Sequence, residues 1–305
     1  MSAESWEAEW ERVLWKKKSY PDNFVPRSFL SSLSKNPNFK PYTYWHLVLL
    51  SFATSQHLAS IFVFLAIFVR LRERLLDPRV LVWASVVVFL AGYVVWEVLD
   101  RDNDRAALYT NRAKTVKASI LVFLALMSLS PVLKTLTAAT SSDSIWALSA
   151  CLFILNALLA DYTPTSAALT IPDDAVNDRL TSVLSMNAAM SSSVVLASRL
   201  SDDLSVFALI LFSVQLFALF PMLRRRLQGC TTPLQLVLTI AICALSIYLT
   251  VALSSTAVYL YCACFASVTF IAPGVLVWAQ RYKNEIRGTW DPAVPKVNRR
   301  LSIAR

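Results

Sequence analysis

Apolar residues gather in eight long runs separated by short polar connections. The runs cover Tyr44 to Val69, Val80 to Leu99, Ala118 to Leu133, Ser144 to Tyr162, Leu180 to Leu200, Leu204 to Leu223, Leu234 to Leu253 and Ala257 to Ala279. A helix crossing a bilayer core needs roughly 20 apolar residues, so the pattern predicts an all-α membrane protein, a bundle of about eight transmembrane helices. The third run is short unless its helix continues through Lys134 towards Ala139. The fifth is diluted by Ser182, Ser185, Ser191, Ser192 and Ser193. Small polar residues at that density suit close packing inside a bundle, and a seven-span count results if this run lies outside the membrane. The division expected is an arm over 1–43, a membrane domain over 44–279 and a tail over 280–305. In the arm, Trp6, Trp10, Val13 and Leu14 share one helical face, the signature of a short amphipathic helix at an interface or against a partner.

Composition agrees with the pattern. Hydrophobic residues make up 56% of the 305 and charged residues 16%, with mean hydropathy +0.52. A soluble domain is about a quarter charged. The net charge of +9 is therefore read as membrane topology, with no nucleic-acid partner. Of the 29 Lys and Arg, 23 fall on the N-terminal side of an eight-span arrangement. Positively charged loops stay in the cytosol, so both termini are expected there. The exception is the first connection on the other side, with Arg70, Arg72, Arg74 and Arg79. The polar and aromatic first 43 residues do not look like a cleavable leader. The five cysteines, in or beside apolar runs, are expected to pack as small hydrophobes.

Little in the chain suggests catalysis. Four glycines, none clustered, exclude Gly-rich phosphate loops. No connection is long enough for a soluble catalytic domain, the longest being Asp161 to Arg179. Asp100, Asp102 and Asp104 alternate as carboxylates that hold a divalent cation do, but the stretch lacks the Gly and Glu of a calcium loop, and a solvated turn explains it as well. His46 and His57 share a face but lie about 16 Å apart along a helix, too far for one metal. No catalytic residue, metal site or cofactor is assigned. Glu97, Lys134 and Asp161 are candidate polar groups inside the bundle, since a charge at membrane depth marks function by default. Gln56, Asn156, Asn187 and Gln215 read as helix-to-helix hydrogen bonds. Arg224, Arg225 and Arg226 form a candidate lipid-binding cluster, because bidentate donors at the headgroup layer grip phosphate. The same triplet is also what a topogenic charge cluster looks like.

Several segments carry a resemblance. Tyr20-Pro21-Asp22-Asn23-Phe24-Val25, Ser130-Pro131-Val132-Leu133-Lys134-Thr135-Leu136-Thr137, Leu196-Ala197-Ser198-Arg199-Leu200 and Phe217-Ala218-Leu219-Phe220-Pro221-Met222-Leu223 resemble the PIG-C family, membrane subunits of phosphatidylinositol N-acetylglucosaminyltransferase. Trp290-Asp291 after Gly288 is similar to that family's closing pattern, although Thr289 and Pro292 depart from it. The resemblance implies a multi-pass protein of the endoplasmic reticulum membrane. It implies a non-catalytic subunit of the complex that transfers N-acetylglucosamine from UDP-GlcNAc to phosphatidylinositol, opening the synthesis of GPI anchors. The implied partners are the other subunits, including a separate catalytic glycosyltransferase, and phosphatidylinositol itself. Two other classes stand beside this reading: a membrane-embedded transferase using the Asp100–Asp104 loop, and a multi-pass transporter, which would usually show internal repeats and midplane charges.

Overall fold

The computed structural model describes Trp10, Lys17, Tyr20, Pro21, Phe24 and residues 41–99, 105–135, 140–162, 175–228 and 232–284, with side chains at 105–114, 116, 134, 175–180, 228, 232 and 281–284 left undescribed. The first apolar run is apolar on every face, which suits a helix surrounded by others. It forms α1 (Tyr44–Arg72), whose Val48, Phe52, Ala59, Phe64 and Phe68 are all buried. Its 29 residues extend about 43 Å at 1.5 Å each, longer than a bilayer core of roughly 30 Å. The remaining helices are α2 (Pro78–Leu99), α3 (Arg105–Thr135), α4 (Ser142–Leu159), α5 (Ala175–Ala197), α6 over 203–228, α7 (Thr232–Val251) and α8 over 255–284. Eight helices and no strand occur among the described residues, and six of them are long and apolar enough to cross a membrane. α3 and α5 contribute shorter apolar stretches, Lys117–Leu133 and Thr181–Ala197. The chain is a multi-pass helical membrane protein.

Two units separate, residues 45–273 and the flanking segments 1–44 with 274–305. In the larger unit, α1 and α6 supply most of the interior. Phe64, Phe153 and Phe217 from α1, α4 and α6 meet with ring centroids 5.4 to 5.8 Å apart. Lipid tails are as apolar as leucine, so helices in a bilayer associate through close packing and hydrogen bonds. The α4–α5 pair shows both. Ser185, Ser192 and Ser193 are buried, and the Ser192 hydroxyl donates to the Ser149 carbonyl at 3.1 Å. The serine-rich run is thus a packed helix of the bundle, as its composition suggested. α2 and α8 instead present apolar side chains outward, among them Trp83, Val87, Tyr259 and Leu260. In the flanking unit, Gln280 accepts from the Tyr42 backbone N–H at 2.7 Å and donates to its carbonyl at 2.9 Å. Phe24 N–H donates to the Pro21 carbonyl at 2.9 Å, closing a turn.

Two helices contain a π-turn, Gln215–Leu219 in α6 and Ser267–Ile271 in α8. Each is followed two residues later by proline, Pro221 and Pro273. A proline ring clashes with the carbonyl four residues back, here Phe217 and Thr269, and the wider π-turn gives that carbonyl room while the helix continues. Pro131 lies inside α3. The Ser130 hydroxyl, a candidate to satisfy the carbonyl that proline frees, donates instead to the Asp203 carbonyl at 2.6 Å.

Four expectations change. α3 gains its length at the N-terminal end, from Arg105, where a polar connection was expected. α4 stops at Leu159 and leaves Asp161 and Tyr162 beyond it. Cys151 and Cys262 are exposed rather than packed inside. Asn187 is exposed and makes no helix-to-helix bond among the described residues, because its register on α5 turns it away from α4. The arm helix, the Asp100–Asp104 loop and the Trp290-Asp291 tail lie outside the described residues.

Candidate functional site

Successive residues on a helix are turned by about 100°, so neighbours in sequence face different ways. The arginine triplet at the end of α6 shows the consequence. Arg224 turns inward and is only 3% exposed. Its Nη1 donates to the Ala53 carbonyl of α1 at 3.0 Å, while its Nε, also buried, has no hydrogen-bond partner among the described residues. Arg225 reaches beyond α4 to Asp161, 3.0 Å away, and to the Ser182 hydroxyl of α5 at 3.2 Å. Arg226 is exposed, and its guanidinium lies over the Trp96 ring of α2, 4.8 Å from the centroid. The triplet therefore ties α6 to α1, α5 and α2 through three different contacts.

Beneath it runs a polar chain that the sequence showed only as isolated residues. His57 Nε2 donates to Asn156 Oδ1 at 2.9 Å. Asn156 Nδ2 donates to the Ser185 carbonyl at 2.8 Å and hydroxyl at 2.9 Å, and that hydroxyl returns a bond to the Asn156 carbonyl at 2.8 Å. Such fully satisfied buried networks specify one arrangement of helices. Tyr162 places its ring edge-on to His57, with centroids 5.8 Å apart, and its hydroxyl donates to the Ala157 carbonyl at 2.7 Å. Burial pushes the Tyr162 phenol up to about 12, against the opposing pull of the Arg224 charge. Gln56 donates to the Thr239 hydroxyl of α7 at 2.8 Å, and Gln215 donates to the Ser85 carbonyl of α2 at 3.0 Å, as expected of polar residues within apolar runs.

Of the other candidates, Asp161 is brought to the arginines, and Glu97 is half-buried one residue past Trp96 on α2. Lys134 lies near the far end of α3, next to Thr135, and its side chain is among those left undescribed. His46 is exposed and stands apart from His57. No group of three or more His, Cys, Asp or Glu able to hold a metal occurs among the described residues. This end sets exposed guanidinium groups beside an apolar surface. The His57–Asn156–Ser185 link had a trace in the sequence, three polar residues inside apolar runs, but nothing in their spacing paired them.

A groove adjoins the site. It lies between α2, α3 and α6, has a volume of about 290 Å³ and is walled almost wholly by apolar side chains. Gly92 forms part of its wall, and a Cβ there would meet Leu223 Cδ2 at 3.8 Å.

The opposite end of the bundle is held by arginines in another way. Arg70 Nε donates to the Leu249 carbonyl at 2.9 Å, and the Arg72 guanidinium lies 5.3 Å from the Trp146 ring centroid. Arg199 donates to the Thr140 carbonyl.

The family model described as phosphatidylinositol N-acetylglucosaminyltransferase (GPI2) matches residues 10–291. A relative from Schizosaccharomyces pombe, named the GPI2 subunit of that transferase, is 37% identical over 94% of this chain and 87% of its own length. A human protein, also named as a subunit of that transferase, is 32% identical over 94% of this chain and 93% of its own length. A GPI2 subunit from Saccharomyces cerevisiae is 27% identical over 70% of this chain and 71% of its own length. No solved structure matches the chain.

Proposed function

Because the chain belongs to the phosphatidylinositol N-acetylglucosaminyltransferase GPI2 family, we propose that it is the non-catalytic membrane subunit of a complex transferring N-acetylglucosamine from UDP-GlcNAc to phosphatidylinositol. It works in the endoplasmic reticulum membrane as a scaffold for a separate glycosyltransferase chain. Eight helices cross the bilayer and both termini face the cytosol. The observation that carries the reading is the coincidence of the matched stretch, residues 10–291, with a bundle whose connections are all short. The longest joins α4 to α5 over 160–174, and an insertion able to bind a nucleotide sugar does not fit there.

The second part of the proposal concerns the lipid. Arg225 and Arg226 stand at the cytosolic interface and meet the phosphate of phosphatidylinositol. Arg224, bonded to the Ala53 carbonyl inside the bundle, holds α6 against α1. Arginine suits both tasks, because its planar fork serves phosphate and carbonyl oxygens alike.

The test is recovery of this chain from gently solubilised membranes, followed by an assay of labelled transfer to phosphatidylinositol. Activity should travel with a separate glycosyltransferase chain and disappear when that chain is stripped away. Turnover by this chain alone would overturn the scaffold reading. In the intact complex, Arg225→Ala with Arg226→Ala should raise the KM for phosphatidylinositol, and an unchanged KM would remove the arginines from lipid contact.

A further inference from the structure

The groove between α2, α3 and α6 has features the arginine contacts alone do not explain. Along α2 its wall runs from Val88 to Trp96, about 12 Å at 1.5 Å per residue. That is most of one leaflet of hydrocarbon, half of a roughly 30 Å core. Its volume of about 290 Å³ sits at the bottom of the range for ligand pockets, roughly 300–1,000 Å³, so it has room for one chain and not for a whole lipid. Val88 and Met222 on its rims are exposed, so it opens on the outer surface of the bundle. The π-turn shapes one wall. In that turn the fifth residue on stacks over the first, which places Phe220 above Gln215 along the groove. At the end marked by Trp96 the wall stops being apolar, and the Arg226 guanidinium lies over the indole.

We infer that this groove holds one acyl chain of an anionic glycerophospholipid, with Arg226 meeting the headgroup phosphate. Charge chooses the occupant: an apolar slot one leaflet long, ending at an exposed cation, is the complement of an acyl chain ending at an anion. Gly92 keeps the slot open, since a large side chain there would project into it. The inference rests on reading the arginine end as the lipid-facing one, but it concerns occupancy rather than transfer.

The experiment uses the purified complex in nanodiscs carrying phospholipids with a photoactivatable acyl chain and a phosphatidylinositol, phosphatidylserine or phosphatidylcholine headgroup. Labelled peptides are mapped by mass spectrometry. The two anionic lipids should label the 88–96 and 219–223 segments alike, several-fold more than phosphatidylcholine does. Gly92→Leu should remove that labelling while the complex still co-purifies. Arg226→Gln, compared at equal co-purification and equal Tm, should keep the labelling but erase the preference for anionic headgroups. Equal labelling by all three lipids, labelling unaffected by Gly92→Leu, or no labelling in the assembled complex because a partner helix fills the groove would each overturn the inference. If Gly92→Leu fails to assemble, the Arg226→Gln comparison decides alone. Absence of transfer from an unmutated complex that labels in this pattern would instead count against the proposed function.

Discussion

Arg224 and Asn156 show what single residues do in a bundle where apolar contact does not favour protein over lipid. An arginine buried to 3% exposure is held by its bond to the Ala53 carbonyl, and removing a partner of such a group is costly. Asn156 joins α1, α4 and α5 through four hydrogen bonds. Asn156→Ala removes the three bonds made by the side chain, to His57 and to the Ser185 carbonyl and hydroxyl, and keeps the one to its own carbonyl, a loss of about 1–3 kcal/mol. Thermal unfolding in detergent should show a clear fall in Tm, and a His57→Ala, Asn156→Ala double-mutant cycle should show non-additivity. Tyr162 gives a pH signature. Its phenol ionises near 12 in the fold and near 10 when unfolded. Its contribution to stability is complete below pH 10 and is lost as pH rises towards 12, because the unfolded state releases the proton first. Between those values the native chain should lose Tm faster than Tyr162→Phe, measured side by side.

Among the elements, the eight helices were legible because each apolar run is long enough to be counted. Their ends were less so, since hydropathy marks where lipid contact stops and not where the backbone stops coiling. α3 begins in a charged stretch that hydropathy assigned to a connection. The π-turns were hidden although both prolines were visible, because proline announces a fault in a helix without stating how the backbone absorbs it. The arginine triplet is a cluster in sequence but not in space, because the 100° turn between neighbours disperses it. One helix end makes a quantitative prediction. Arg74 has φ 58, with the Leu75 N–H bonded to the Arg70 carbonyl at 2.8 Å and its own N–H to Leu71 at 3.2 Å. This is the pairing in which a left-handed residue, normally glycine, closes a helix. A side chain in that conformation costs of order 1–2 kcal/mol. Arg74→Gly should recover about 1 kcal/mol, read as a higher Tm with unchanged assembly.

For the molecule as a whole, the eight crossings proposed would return both termini to one side. Single cysteines introduced at Arg225 and at Asp202, in a chain whose own cysteines are replaced, test this. A membrane-impermeant thiol reagent added from the cytosol should reach the first and spare the second. Equal reaction at both would remove a crossing. The turn between α1 and α2 has a consequence for how the protein is made. In the proposed topology Arg70, Arg72, Arg74 and Arg79 lie on the side that topogenic charge disfavours, yet in the folded bundle Arg70 and Arg72 fasten α1 to α7 and α4. During biosynthesis this hairpin crosses the bilayer before either of those helices has been translated. The charges that brace the mature protein are the ones that oppose its insertion. In that topology the orientation of the first hairpin depends on the basic stretches on both sides of it, the seven Lys and Arg of residues 1–43 and those from Arg101 to Lys117, and the early nascent chain is the stage most exposed to inversion.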